Sequence, residues 1–405
     1  MRILYHFRVR GTGAEGVHIA GMAEGFRALG HAVSFLSPTG ADPTAPEGCA
    51  PTAQARWLHG LADHVPQCAF ECMELAYNLS ARQRFRKSLA AECPDLIYER
   101  YAFFNGAGVW ASKHVQRPLV LEVNEVSGVE RVRGQRLVGL AQAMERQVFR
   151  QATVLVVVSD FLKARALEHG VSPDRILVVP NGVTPQWVAM HPPPAELDAV
   201  DRTWKLAGKA VVGFVGGLVH WHRFDFLLDV FAAARQTCPA AHLLLVGEGP
   251  WRRPILEWAR QKGMADAVTL TGQIPHARVR TVVERFDVAV IPHSNEFRSP
   301  IKLFEYMGAG RALMAPDVPP IRAVVQSDAD GILFPPDNLE AATQAMIRLL
   351  EQANLRRRLG AAAAQKVERY YVWPLHAARV LDQVQRLATC QGHSDHFRYT
   401  TGLCT

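Results

Sequence analysis

Short apolar runs alternate with stretches of helical periodicity along nearly the whole chain, and this alternation limits the fold more than any other feature of the sequence. A run too short for a helix, rich in Val, Leu and Ile and bounded by turn residues, reads as a buried strand. When such runs alternate with helices, the strands lie parallel and the helices cover both faces. In the first half the runs are Ile3–Phe7, Ala32–Leu36, Leu96–Tyr98, Pro118–Val123, Thr153–Val158 and Arg175–Val179, with helical patterns between them such as His18–Leu29 and Leu137–Arg150. The second half begins afresh with Ala210–Val215, which ends in Gly216-Gly217. It continues through His242–Val246, Val268–Thr271, Val288–Ile291, Ala312–Ala315 and Gly331–Phe334. The expected class is α/β, with one doubly wound parallel sheet in each half and no sequence repeat between them.

The halves are separated by "VVPNGVTPQWVAMHPPPAELDAVD". Asn181-Gly182 is a turn signal, and Pro192–Pro194 fit neither a helix interior nor a central strand. The expected domains are therefore residues 1–183 and 184–370. Trp373-Pro374 then opens a further helix over 371–390, with proline tolerated in the first turn. Residues 391–405 lack periodicity and read as a frayed tail.

A chain of 405 residues has room for two or three cores. The net charge of +7 favours anionic ligands or acidic lipid surfaces and does not by itself imply nucleic acid. The seven cysteines are odd in number and include no C-x-x-C pair, so they read as free thiols of a reducing compartment. "MRILYHF" is too short and polar for a signal sequence, and no window approaches the roughly 18 apolar residues of a membrane span. The expected location is the cytoplasm, with peripheral contact at the inner membrane face as an addition.

Gly11, Gly13 and Gly16 follow the first strand in the spacing G-x-G-x-x-G, a dinucleotide fingerprint. That reading asks for an acid at the end of the second strand to hold the ribose. Here "AVSFL" runs into Ser37-Pro38, and Arg8, Val9 and Arg10 lengthen the turn. An NAD(P)- or flavin-dependent oxidoreductase is thus the alternative. The glycines serve equally well as a close-approach loop for another ligand, or only for tight strand–helix packing.

The most informative stretch is "HSNEFRSPIKLFEYMGAGRALMAPD", His293 to Asp317. A helix beginning near Ser299, Pro300 and Ile301 offers an anion its free N–H groups and its dipole. Lys302 adds charge within the first turn. Glu305, three residues on and on the same face, could accept from a ribose diol. Read alone, the same pair is a solvated Lys–Glu pair on a surface helix.

This stretch resembles the nucleotide-binding motif of the retaining GT-B glycosyltransferases of family 4 (glycosyl transferases group 1), in the branch with Ser-Pro-x-Lys-Leu-Phe-Glu-Tyr-Met. "VPNGV", "GFVGGLVHWHRFDFLLDVF", "LLLVGEGP" and "VTLTGQIP" agree with it in order and spacing over roughly residues 1 to 390. The resemblance implies two Rossmann-like domains facing across a cleft, with the C-terminal helix crossing back to the first. It implies a retaining, metal-independent transferase that moves a hexose-type sugar from a nucleoside diphosphate sugar, UDP favoured over GDP, to a hydroxyl acceptor in polysaccharide, glycolipid or other glycoconjugate synthesis.

Position by position, the resemblance makes Glu305 the ribose acid and puts Gly216 and Gly217 under the diphosphate. Gly247 and Gly249 fall in the turn after the second strand of that domain. Gly272 and Ile274 fall in the loop beside the base, and Gly13 in the loop facing the donor. Three positions depart from the pattern. The earlier acid falls on Phe297, with Glu296 beside it. The usual Arg and Lys are replaced by Gly217 and His222, leaving His222 or Arg223, with Lys302, to meet phosphate charge. The usual first-domain histidine is replaced by Asn124, flanked by Glu122 and Glu125; Asn124 can bond a sugar hydroxyl but cannot act as an acid or base near neutral pH. The reacting groups to be expected are Asn124, Lys302, Arg223 and Glu296.

No cofactor and no metal are expected. His220-Trp221-His222 supplies only two histidines, with no third ligand near them in sequence. Arginines among apolar residues in Ser80–Ala90 and Gly128–Gln151 suit either a solvated face or an anionic lipid surface, including a lipid-linked acceptor. Apart from the oxidoreductase, the alternatives are a nucleotide-binding protein of GT-B shape without turnover and a sugar-nucleotide epimerase or hydrolase.

Overall fold

A computed structural model describes residues 1–9, 13–45, 65–129 and 134–390. The chain divides into two compact units, one of Met1–Pro180 with the chain from Trp373 on, the other of Asn181–Val372. Gly11, the tail beyond Cys390 and residues 130–133 of the second arginine stretch lie outside the described residues.

The first unit holds strands β1 (Arg2–His6), β2 (Ala32–Leu36), β3 (Leu96–Arg100), β4 (Leu119–Val123), β5 (Val154–Val157) and β6 (Ile176–Val178). All pairs are parallel, and the order is β2-β1-β3-β4-β5-β6. Strands β4 and β5 are buried at every residue, as expected of central strands covered on both faces. The helices expected at 18–29 and 137–150 form as Gly13–Ala28 and Val138–Gln151.

The C-terminal helix Trp373–Cys390 belongs to this unit and packs on the helix Gly13–Ala28. Trp373, Ala377, Val380 and Leu381 share a core with Tyr5, Phe26, Tyr98 and Val156. Small residues make the seat. A Cβ on Gly21 would lie 2.1 Å from Nε1 of Trp373, and one on Gly25 would lie 2.6 Å from its carbonyl oxygen.

The second unit holds β7 (Ala210–Val215), β8 (Ala241–Val246), β9 (Val268–Gly272), β10 (Val288–Val290), β11 (Ala312–Pro316) and β12 (Ile332–Phe334). Its pairs are also parallel, in the order β12-β11-β10-β7-β8-β9. Read from the β9 edge, the strands run third, second, first, fourth, fifth and sixth. This is the strand order of dinucleotide-binding sheets, and it belongs to the unit without the opening G-x-G-x-x-G. Phe214, Phe224, Phe231, Leu245, Met314 and Met346 lie in its core.

The proline-rich break is more structured than its composition suggests. It forms two helices, Pro185–Ala189 and Pro194–Trp204. Each starts on a proline, whose missing N–H costs nothing in a first turn. Thr184 caps the first by accepting from the N–H of Trp187 at 3.2 Å.

Candidate active site

In a doubly wound sheet, ligands bind beyond the carboxyl ends of the strands where the winding direction reverses. In the second unit that point lies between β7 and β10. The loop leaving β7 carries Gly216 to Arg223, and the loop leaving β10 leads through His293 and Arg298 to the helix Ile301–Gly308. The helix therefore starts two residues later than Ser299, with Pro300 at its N-cap and no side chain capping it.

Two residues four apart on this helix face β7. Tyr306 accepts from the N–H of Val215 at 2.6 Å, which fixes the helix to the strand end. Nζ of Lys302 lies 3.9 Å from the centroid of Phe214 and 3.4 Å from Nε2 of His222. Burial pushes the lysine down to about 7, while the charge of Glu305 works in the opposite direction.

Gly216 and Gly247 leave little room for side chains in the turn beneath the lysine. A Cβ on Gly216, at φ +146°, would lie 2.6 Å from Nζ of Lys302. A Cβ on Gly247, at φ +140°, would lie 2.0 Å from the carbonyl oxygen of Gly216. The N–H of Gly247 donates to the carbonyl of Gly272 at 3.0 Å, which joins the ends of β8 and β9. Gly249 packs against Leu218, whose N–H donates to the Glu248 carbonyl at 2.9 Å. Gly217 accepts from the N–H of Val219 at 3.0 Å, and Ile274 is half-buried in the loop after β9. The expected glycine positions thus form one interlocked set of turns.

Glu305 is buried. Its Oε1 lies 3.1 Å from Nε2 of His276, and its backbone carbonyl accepts from the indole N–H of Trp187 at 2.9 Å. His276 and Trp187 were not legible as site residues, because neither belongs to a spacing pattern. The signal was proximity in sequence: His276 directly follows the loop that holds Gly272 and Ile274.

Several residues expected at the phosphate have partners within the protein in this structure. Arg223 is in the left-handed region at φ +52°, and its guanidinium pairs with Asp225 at 3.0 Å and Asp337 at 2.8 Å. It is thus paired with one acid of the following helix and one of the loop after β12. His222 does not supply charge. Burial first, then Lys302, Arg298 and His293, push it down to about 2, so it stays neutral at working pH. Among the described residues, its buried Nδ1 has no hydrogen-bond partner. The hydroxyl of Ser299 accepts from the N–H of Asn181 at 3.0 Å, and its carbonyl accepts from the Asn181 side chain, which ties the loop down. Phe297 is buried and Glu296 exposed.

Arg298 is a cation that sequence reasoning passed over. Its Cζ lies 5.7 Å from the Trp221 centroid and 5.3 Å from that of Phe297, and its N–H donates to Asn295 at 2.9 Å. Among the described residues, no group of three His, Cys, Asp or Glu is arranged to hold a metal ion.

In the first unit, Gly13 starts the helix Gly13–Ala28 at φ +63°, with open space where a Cβ would sit. Asn124 donates from Nδ2 to Oε1 of Glu122 at 2.7 Å, which fixes the orientation of its side chain. Glu122 is buried and also accepts from Tyr5 at 3.2 Å, Tyr98 at 2.8 Å and Arg100 at 2.7 Å, with His18 Nε2 at 2.8 Å. Although burial alone would raise it, these partners, His18 foremost, hold its carboxyl well below the usual range. Of the two arginine stretches, Arg82 and Arg86 both lie over the ring of Trp110, at 5.9 and 5.3 Å. Among the described residues, no helix is long and apolar enough to cross a membrane.

Comparison with known proteins gives this site its family. Residues 13–182 match the model of the glycosyl transferase 4-like domain, and residues 209–352 match that of glycosyl transferases group 1. The chain is 24% identical over 395 residues to a phosphatidyl-myo-inositol mannosyltransferase of Mycobacterium leprae, covering 95% of this chain and 96% of that one. It is 32% identical over 196 residues to a 2-deoxystreptamine N-acetyl-D-glucosaminyltransferase of Streptomyces fradiae, covering 47% of this chain and 45% of the other. The crystal structure of Anabaena HepE in complex with UDP has the same fold, with a TM-score of 0.69 at 15% identity, over 97% of this chain and 100% of that one. These matches do not favour the oxidoreductase reading of the opening glycines. With residues 13–182 and 209–352 matched by models of the glycosyl transferase 4-like domain and of glycosyl transferases group 1, this chain is a GT-B glycosyltransferase of family 4 type.

Proposed function

We propose that this enzyme transfers a hexose-type residue, with retention and without a metal ion, from a nucleoside diphosphate sugar to a hydroxyl acceptor. The observation that carries the reading is the placement of Lys302 and Glu305 one turn apart on a short helix at the switch point of the second sheet. A cation near the start of that helix and a buried acid one turn on suit a diphosphate and a ribose, respectively. A UDP-sugar is favoured, in line with the UDP held by Anabaena HepE. The names of the relatives pair a sugar with a hydroxylated acceptor, phosphatidyl-myo-inositol in one and 2-deoxystreptamine in the other. They support a sugar, lipid-linked or small-molecule acceptor here, taken by the first unit.

Charge develops on the diphosphate as it leaves, so the main contribution expected of the protein is preorganised donors. Those are Lys302 and the backbone N–H groups at the start of the helix Ile301–Gly308. The acceptor hydroxyl attacks C1 from the face that the diphosphate vacates. The bond from C1 to the β-phosphate oxygen breaks, and that phosphate takes the acceptor's proton. This route suits a site where Asn124 stands instead of an ionisable group. Asn124, turned by Glu122, accepts from a sugar hydroxyl. The arginines over Trp110 favour peripheral contact with an anionic membrane, which flotation with and without anionic lipid tests.

A thermal-stabilisation panel of UDP, GDP, ADP, their sugars and NAD(P) tests the donor class. The expected result is stabilisation by a nucleoside diphosphate and its sugar, lost in Lys302→Met and Glu305→Gln. Stabilisation by NAD(P) alone would overturn it. The anomeric configuration of the product, and turnover in excess chelator, test retention and metal independence.

A further inference from the structure

We infer that His276 is a positioning residue for ribose recognition: its Nε2–H donates to Glu305 and holds that carboxylate in the orientation that accepts from a ribonucleotide's hydroxyls. The inference rests on the nucleotide reading and adds to it a residue and a selectivity.

His276 opens the helix His276–Val283 directly after the loop that leaves β9. Its Nε2 lies 3.1 Å from Oε1 of Glu305. The imidazole lies on the indole of Trp187, with centroids 5.7 Å apart and planes 23° from parallel. Trp187 then returns to the same glutamate, donating its indole N–H to the Glu305 backbone carbonyl at 2.9 Å. Its own carbonyl accepts from Nε of the buried Arg280 at 3.1 Å. Two stacked rings therefore hold Glu305, one by its main chain and one by its carboxylate.

The chemistry gives this arrangement a purpose. A glutamate side chain has three rotatable bonds, and ordering them at the moment of binding would cost affinity. His276 orders the carboxylate in advance. It takes one lone pair of Oε1 and leaves the others to accept from neighbouring hydroxyls. A carboxylate so held accepts from a 2′- and a 3′-hydroxyl together and loses one of those bonds where the 2′-hydroxyl is missing. His276 touches no reacting atom in this scheme, so its effect belongs in affinity and in ribose selectivity.

The test uses the full chain and whichever of UDP, GDP or ADP stabilises it most, paired with the 2′-deoxy form of the same diphosphate. Calorimetric affinities are measured for the wild type, His276→Phe and His276→Gln, with thermal midpoints as the check of folding. The wild type is expected to prefer the ribonucleotide by about tenfold or more. His276→Phe, which keeps a ring on Trp187, is expected to lose most of that ratio while the deoxy form binds nearly as before. His276→Gln, which keeps a donor, is expected to restore most of it. A full wild-type ratio in His276→Phe overturns the inference. So does an equal loss for both nucleotides, which marks a packing role. If the wild type binds the diphosphate with no ribose preference, the inference fails and the diphosphate half of the nucleotide reading stands. If no nucleotide stabilises it, both fail.

Discussion

Nζ of Lys302 lies 3.4 Å from Nε2 of His222, and the two are cation and neutral base at any working pH below about 7. Burial holds the lysine near the point where it would lose its proton, and a bound diphosphate would move it back up. The complex then holds more protons than its separate parts at pH 8. Donor affinity is expected to fall as pH rises above about 7. Calorimetry at pH 8 in two buffers of different ionisation enthalpy should give net proton uptake, absent in Lys302→Met. Undiminished uptake in that variant would assign the proton to another group.

The same shift makes a statement about folding. Between about 7 and the ordinary lysine value, the unfolded chain binds more protons at Lys302 than the folded one, so this residue's contribution to stability improves with rising pH. Lys302→Met should be more stable than the wild type near neutrality, with the difference narrowing in alkaline solution. Denaturant titrations at several pH values check this, and a gap that does not depend on pH would contradict it.

Gly247 has no space for a side chain, because a Cβ there would lie 2.0 Å from the Gly216 carbonyl oxygen. Gly247→Ala is expected to cost about 1–3 kcal/mol and to weaken donor binding by displacing the turn under Lys302. Gly13→Ala is the contrast, since its Cβ meets nothing within 4 Å and only the positive φ opposes it. Thermal melts of both variants, with and without nucleotide, separate the two effects.

Trp373 is 1% exposed and sits in the seat made by Gly21 and Gly25. Trp373→Ala should cost about 3–5 kcal/mol, the range for emptying a core of a large aromatic side chain. Gly21→Leu should also destabilise, by closing the seat. Unfolding of either variant at the wild-type midpoint would show that the helix Trp373–Cys390 is held by other means.

Glu122 gathers Tyr5, Tyr98, Arg100, His18 and Asn124 around a buried carboxylate. Its lowered pKa means that its stabilisation is complete above the ordinary carboxylate range and is lost as the pH falls below it. Glu122→Gln should cost about 3–5 kcal/mol at pH 7 and flatten the acid limb of the stability curve. Acid titrations of wild type and variant, compared by circular dichroism, test the sign.

The two-sheet architecture was legible in the chain because burial on both faces writes a strand as an apolar run, and helical periodicity marks what lies between. All the strands formed where such runs occur, with ends within a residue or two. Lys302 and Glu305 were legible too, since a three-residue spacing on a helix fixes a shared face whatever surrounds it.

What the sequence determined by itself is therefore local: strands, helices, turns and the residues that a fixed spacing sets side by side. Tertiary structure alone decided which charges are available. It tied Arg223 to Asp225 and Asp337, held the pKa of His222 down by burial and by the neighbouring Lys302, and brought Trp187 and His276 onto Glu305 from distant parts of the chain. The physical reason is that pairing and desolvation depend on distance in space, which sequence spacing specifies only within a single helix or strand.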